Sequence, residues 1–111
     1  MATFPVLMSI DDLRAVLRLG DTSETAVGSR LKLLRKVLGL TQRGMAAAMG
    51  TTVNNYQAVE YGKQHPRPHQ VQSLMDAYGL DYNLIYGGDP KGCPAGVALK
   101  LLAAHKADDG D

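Results

Sequence analysis

The segment 41–63, TQRGMAAAMGTTVNNYQAVEYGK, constrains the fold most, because it contains two short helical patterns separated by a turn. The inward face of the first helix carries small or flexible apolar residues, Met45, Ala46 and Met49. Gly50 suits the position after this helix, where a left-handed backbone is cheap only without a Cβ atom. Thr52 can cap the next helix through its hydroxyl. The segment therefore predicts two packed helices joined by a tight turn.

The second of these helices has an outward face of amides and small apolar groups. Tyr56 and Val59 point inward, and the outward residues are Val53, Asn54, Gln57 and Ala58. Asn and Gln form bidentate hydrogen bonds with adenine, and Val and Ala pack against the thymine methyl group. Helix surfaces normally carry more charge than this one, whose first acid is Glu60. We therefore predict that these four residues contact base edges in a major groove, with a preference for A·T pairs.

These residues belong to a longer series of landmarks between Val27 and Gly88. The series is Arg30-Leu31, Leu34-Arg35, Leu40-Thr41-Gln42, Ala46, Gly50, Glu60-Tyr61-Gly62-Lys63, Pro66 and Leu84-Ile85-Tyr86-Gly87. In this respect the segment resembles the helix-turn-helix of the phage-repressor-like (Cro/repressor, XRE-type) family. Two residues depart from the family pattern: Gly44 lies inside the first helix, and Tyr56 replaces an inward aliphatic residue. The hydroxyl of Tyr56 therefore needs a partner or a route to the surface.

The resemblance also implies roles for single residues. It implies that Gln42 contacts the DNA backbone, and that Arg35 and Glu60 form a salt bridge between helices. Thr41 and Gln42 lie where unpaired backbone N–H groups and the helix dipole favour a phosphate, although Thr41 could serve only as an N-cap. We predict further contacts with the DNA backbone from residues around the groove: Arg43, Thr52, Asn55, Tyr61, Lys63 and Arg67.

Charge is unevenly distributed along the chain, although the net charge is only +1. Residues 28–75 contain seven basic residues and one acid, which gives +6, whereas residues 1–27 carry −2 and residues 76–111 carry −3. A basic centre that coincides with the helical pair is the electrostatic footprint of a small DNA-binding domain. A chance cluster of solvated side chains would give the same count, so charge only supports the argument from the motif.

Helical periodicity extends over the chain, and no segment has the period of a strand. The predicted helices cover about 10–19, 25–38, 42–49, 53–61, 68–78, 82–86 and 95–106, and a Ser9-x-x-Asp12 pattern introduces the first. We predict an all-α fold, with a compact five-helix repressor-like DNA-binding domain at 25–88. An N-terminal extension with a short helix covers 1–24, and a linker and C-terminal helix cover 89–111. The two extra helices would either form a dimer contact or complete the monomer's core.

Several other classes of protein are not expected. There is no apolar run of about 18 residues to span a membrane, and the N-terminal residues lack the basic region of a signal peptide. The single cysteine, Cys93, fits a reducing cytoplasm. Two prolines between His65 and His69 prevent the continuous helix on which such a pair would bind a metal. We find no catalytic constellation, and we expect no enzyme activity, no cofactor and no bound metal.

The sequence therefore predicts a cytoplasmic, sequence-specific double-stranded DNA-binding protein, nucleoid-associated when bound. We expect a bacterial or phage repressor or similar regulator, acting as a homodimer on a palindromic operator. One alternative is an antitoxin that represses its own operon and binds a toxin through a terminal segment. Another is an adaptor that uses the same fold to bind a protein; acids on the outward helix would favour it, and none precedes Glu60.

Overall fold

The structure is a computed structural model that describes the backbone of residues 12–110 and the side chains of residues 12–103. All secondary structure in this part of the chain is helical, which confirms the predicted all-α fold. The helices are α1 (12–16), α2 (Glu24–Val37), α3 (Gln42–Ala48), α4 (Val53–Glu60), α5 (Pro68–Tyr78), α6 (Tyr82–Gly87) and α7 (Ala95–Gly110), with a 3-10 turn at Pro90–Gly92. The predicted start of the first helix at Ser9 lies outside the described residues.

Most helix ends lie within one or two residues of their predicted positions. Pro68 is the first residue of α5, and the Asp81 carboxylate caps α6 by accepting the N–H of Leu84 at 2.9 Å. The two terminal helices differ from prediction. α1 ends at residue 16 rather than near Gly20, because Arg18 turns the chain with a left-handed φ of 55°. α7 continues to Gly110, beyond the predicted end at residue 106.

α2 lies at the centre of the fold and packs against α4, α6 and α7. Its contribution to the core is Val27, Leu31 and Leu34, all fully buried. The terminal helices, with the residue that follows α1, add four more buried leucines, which are Leu13, Leu17, Leu101 and Leu102. Of the two roles considered for these helices, burial of these leucines favours completion of the monomer's core.

Gly28 allows α2 to cross α4 at short range. A Cβ atom at this position would lie 2.5 Å from the carbonyl oxygen of Val59 and 2.6 Å from that of Glu60. These distances are shorter than atoms in a folded protein tolerate, so any larger residue would push the helices apart. The crossing therefore fixes the last turn of α4 against α2.

Arg30, in the middle of α2, is a buried cation with only 2% of its surface exposed. Its guanidinium group has five N–H donors, and it donates to five main-chain carbonyl oxygens. These belong to Leu17, Arg18 and Asp21 after α1, and to Ile85 and Tyr86 at the end of α6. Arg30 thus joins the α1–α2 connection to α6. The charge count of residues 28–75 included Arg30 in the basic centre, but its charge is buried and not exposed.

Candidate nucleic-acid interface

α3 and α4 form the predicted pair of helices, and a threonine hydroxyl fixes the start of each. Oγ1 of Thr41 accepts the N–H of Gly44 at 3.0 Å, and Oγ1 of Thr52 accepts the N–H of Asn55 at 3.2 Å. Gly50 in the connecting turn has the predicted left-handed backbone, with φ of 70°. The buried hydrophobic residues of the pair are Met45, Ala46, Met49, Tyr56 and Val59. The other face of α4 therefore points away from the core.

This outer face of α4 carries the residues predicted to contact bases. Their spacing along the helix places Val53, Asn54, Gln57 and Ala58 on one side. Asn54 is exposed, as is the neighbouring Asn55, whereas the other three are half-buried. Val53 also packs against the core, so it is less accessible than the sequence pattern indicated.

A chain of hydrogen bonds runs from α2 through α3 to this face of α4. Arg35 and Glu60 form an ion pair, with Nε 2.9 Å from Oε2 and Nη2 3.0 Å from Oε1. The Gln42 amide donates to Oε1 of Glu60 at 3.2 Å and, at 3.5 Å, to the hydroxyl of Tyr61. The Gln57 amide in turn donates to Oε1 of Gln42 at 2.9 Å. Two residues predicted to contact DNA independently are thus bound to each other.

The ion pair holds Glu60 in its charged form, although its side chain is only 1% exposed. Burial by itself would raise the pKa of this carboxyl, but the hydrogen bonds from Arg35 and Gln42 lower the pKa overall. The hydrogen bond to Glu60 raises the pKa of Arg35, so the charged form of each partner is stabilised. The two opposite charges largely cancel, so Arg35 adds little to the positive field outside the protein.

Tyr56 is fully buried beside this pair. The sequence predicted a partner for its hydroxyl or a route to the surface, but no described residue hydrogen-bonds to the hydroxyl and it has no exposed surface. Burial, and then the adjacent Glu60 carboxylate, raise the pKa of Tyr56. The phenol is therefore neutral at physiological pH.

Two shallow grooves flank α4 and bring most of the predicted contact residues together. The first is lined by Arg35, Thr41, Gln42, Arg43, Val53 and Gln57. The second lies between the α3–α4 turn and the start of α5. It is lined by Gly50, Thr51, Asn55, Gln64, Arg67, His69 and Gln70. Arg43, Lys63 and Arg67 are exposed, and Tyr61 exposes 62% of its surface. The outer face of α4 thus lies between two grooves that each contain an exposed arginine.

The loop that carries Lys63 and Arg67 is anchored to α6 by two tyrosines. The Tyr86 hydroxyl donates to the carbonyl oxygen of Pro66 at 2.6 Å, and the Tyr82 hydroxyl donates to that of Pro68 at 3.0 Å. These bonds fix the end of the loop and the start of α5 against α6. The loop is therefore a positioned element and not a free connection.

The sequence interpretation did not include Gln64, His69 and Gln70 in the interface. Gln70 is the third residue of α5, and its Oε1 accepts the N–H of Arg67 at 2.9 Å. A Gln three residues after the expected cap position, Arg67, is the available sequence signal, because this spacing allows a bond back to the cap residue. For Gln64 and His69 nothing in the sequence pattern indicates the groove.

Other candidate sites are poorly equipped for chemistry. Burial, with a smaller effect of Asp81, raises the pKa of Cys93 to about 11, so the thiol stays protonated. In the described part of the chain no three His, Cys, Asp or Glu residues cluster to hold a metal ion. Among the same residues, no helix has both the length and the apolar character to span a membrane.

In a comparison with family models, residues 26–85 match a helix-turn-helix domain. The match runs from the first turn of α2 into α6 and includes both grooves and the series of hydrogen bonds from Arg35 to Gln57. This protein therefore belongs to the helix-turn-helix domain family, and membership indicates DNA binding and a part in transcription regulation. Domains of the family are typically non-enzymatic. Neither the comparison with curated proteins nor that with solved structures returned a match.

Proposed function

We propose that this chain is a sequence-specific double-stranded DNA-binding protein that regulates transcription as a repressor. In this proposal α4 enters the major groove, and Val53, Asn54, Gln57 and Ala58 contact base edges. The observation that carries the proposal is the uncharged outer face of α4, on which Asn54 is exposed, between two grooves that each hold an exposed arginine.

Contacts with phosphates would fix the orientation of α4 without specifying sequence. We assign these contacts to the residues around the grooves, Thr41, Gln42, Arg43, Thr52, Asn55, Tyr61, Lys63 and Arg67. The threonine hydroxyls accept backbone N–H groups as caps, and each keeps its own hydrogen to donate to a phosphate oxygen. Lys63 and Arg67 contribute exposed positive charge on an anchored loop.

We further propose that the protein is of the repressor-like XRE type and binds a palindromic site as a homodimer. The landmark residues and the Arg35–Glu60 ion pair support the type, and the small number of base contacts available to one α4 supports the dimer. In this division of the chain residues 25–88 bind DNA, whereas 1–24 and 89–111 extend the domain.

Selection of bound duplexes from a random library by the purified full chain tests the proposal. We expect an enriched motif with A·T pairs at contacted positions and two half-sites about one helical turn apart. Replacing Asn54 and Gln57 together by Ala should remove the motif while the fold remains intact. A library that shows no enrichment after repeated rounds would refute sequence-specific binding.

A further inference from the structure

We propose that Gln42 is a positioning residue for base recognition, because it fixes the orientation of the Gln57 amide. The inference rests on the proposed function and goes beyond it by naming what Gln57 presents to a base. It is carried by the hydrogen-bond chain Arg35–Glu60–Gln42–Gln57, in which every bond is between side chains.

The Glu60 carboxylate determines which group donates and which accepts in each of these hydrogen bonds. An ionised carboxylate only accepts hydrogen bonds, and Arg35 supplies two of the bonds that Glu60 accepts. Gln42 must therefore turn its NH2 group towards Oε1 of Glu60, which it approaches at 3.2 Å. Its own Oε1 then faces α4. The usual ambiguity between the O and N atoms of an amide side chain is removed at this position.

The same logic continues to Gln57. Oε1 of Gln42 can only accept, so Gln57 must direct its NH2 group towards it, and the two atoms are 2.9 Å apart. Oε1 of Gln57 and its second N–H remain for a ligand. An acceptor beside a donor on one amide edge is the pattern that pairs with N6 and N7 of adenine. This series of hydrogen bonds therefore holds the Gln57 amide in an orientation that pairs with adenine, in one orientation of the base pair.

Both ends of the Gln42 amide are hydrogen-bonded in this arrangement. Its NH2 group lies within 3.5 Å of both Glu60 and the Tyr61 hydroxyl, and its oxygen accepts from Gln57. A side chain bound on both sides does not also need a phosphate to hold it. We infer that its larger effect is on base preference, and that any contact with the DNA backbone is secondary.

The test compares Gln42→Met, Gln57→Met and the double variant with the wild-type protein. Methionine conserves length and volume but cannot donate or accept as an amide does. Gln72→Met is the matched control, because Gln72 is an exposed glutamine on α5. It donates to Asp76 and takes no part in the series of hydrogen bonds from Arg35 to Gln57. For each protein, affinity is measured for the selected site and for sites with each base pair exchanged, at several salt concentrations, together with the melting temperature.

We expect Gln42→Met to lose about tenfold in preference at the base pair where Gln57→Met loses it, with the salt slope unchanged. The double variant should lose no more than Gln57→Met alone, because Gln42 acts through Gln57. The control should behave as wild type, and all melting temperatures should stay close together. A uniform loss of affinity for all sequences in Gln42→Met, or additive losses in the double variant, would overturn the inference while leaving the proposed function intact. A wild-type protein without base preference would overturn both.

Discussion

Arg30 and Arg35 lie five residues apart on the same helix, yet they hold the molecule together in different ways. Arg30 is bound entirely by main-chain carbonyl oxygens at the end of the fold where α1 meets α6. Arg35 binds a carboxylate, Glu60, and through it reaches the side chains that face the candidate interface. Neither guanidinium is free to meet a phosphate, although both belong to the most basic part of the sequence.

The difference separates two functions of α2. At Arg30 the helix organises the backbone, and the identity of the neighbouring side chains matters little because only carbonyls are bound. At Arg35 the helix organises side chains, so a change there is transmitted to Gln42 and Gln57. We therefore expect substitutions at Arg30 to alter stability alone, and substitutions at the Arg35–Glu60 pair to alter stability and base preference together.

The largest loss of stability is expected for Arg30→Met. It removes all five donors and leaves carbonyl oxygens without partners, which should lower the free energy of unfolding by about 3–5 kcal/mol. Arg30→Lys keeps the charge with only three donors and should lie between this variant and wild type. Urea denaturation monitored by circular dichroism measures both. A change within about 0.5 kcal/mol for Arg30→Met would show that the five bonds do not stabilise the fold.

Glu60→Gln should cost about 2–3 kcal/mol, because it leaves the Arg35 charge without its counterion in a mostly buried site. The folded-state pKa of Glu60 is below its ordinary value of 4.5, so the ionised group stabilises the fold above that pH. This contribution disappears as pH falls through the folded-state pKa. The difference in unfolding free energy between wild type and Glu60→Gln should therefore be constant near neutral pH and shrink below 4.5. A difference that grows on acidification would contradict the assignment.

Two glycine substitutions test how closely α2 must approach α4. Gly28→Ala introduces a Cβ atom 2.5 Å from a carbonyl oxygen of α4 and should cost about 1–3 kcal/mol. Gly44→Ala on α3 is the control, since its Cβ would make ordinary contacts at 3.4 Å and beyond. Its better helix propensity should stabilise the fold by up to about 1 kcal/mol. Equal effects of the two substitutions in thermal unfolding would mean that the α2–α4 crossing is not constrained at Gly28.

The smallest effects on stability are expected for the exposed cations of the candidate interface. Lys63→Ala and Arg67→Ala should each change the unfolding free energy by less than about 0.5 kcal/mol. Each should also reduce the slope of log affinity against log salt by about one. Lys91→Ala is the control, because Lys91 is exposed in the 3-10 turn before α7. An identical salt slope in all three variants would remove the loop after α4 from the phosphate contacts.

Local features of the sequence were sufficient to predict the positions of most helices. Thr41, Thr52 and Asp81 cap the helices they precede, and Gly50 makes the turn, because each of these effects depends only on residues close in the chain. The outward face of α4 followed from helical periodicity. The extent of the terminal helices was less predictable, since the end of α1 depends on a left-handed arginine, Arg18, that no propensity favours.

The relations that span the fold could not be predicted in the same way. The carbonyl partners of Arg30 come from two segments far apart in the sequence, 17–21 and 85–86. Nothing in the sequence around Arg30 indicates that this arginine is buried. The bond between Gln42 and Gln57 depends on how α3 crosses α4. The close contact at Gly28 depends on how α2 crosses α4, so only a three-dimensional arrangement shows it.

The most direct test of the proposed sequence-specific recognition by α4 is a competition experiment with the purified 111-residue protein. The labelled selected duplex competes at moderate salt with an unlabelled scrambled duplex of the same composition, for wild type and for the Asn54→Ala, Gln57→Ala double variant. We predict that wild type prefers its site by at least about a thousandfold, and that the folded double variant binds both duplexes alike with the weaker affinity. Equal affinity of the wild-type protein for the two duplexes would contradict the account.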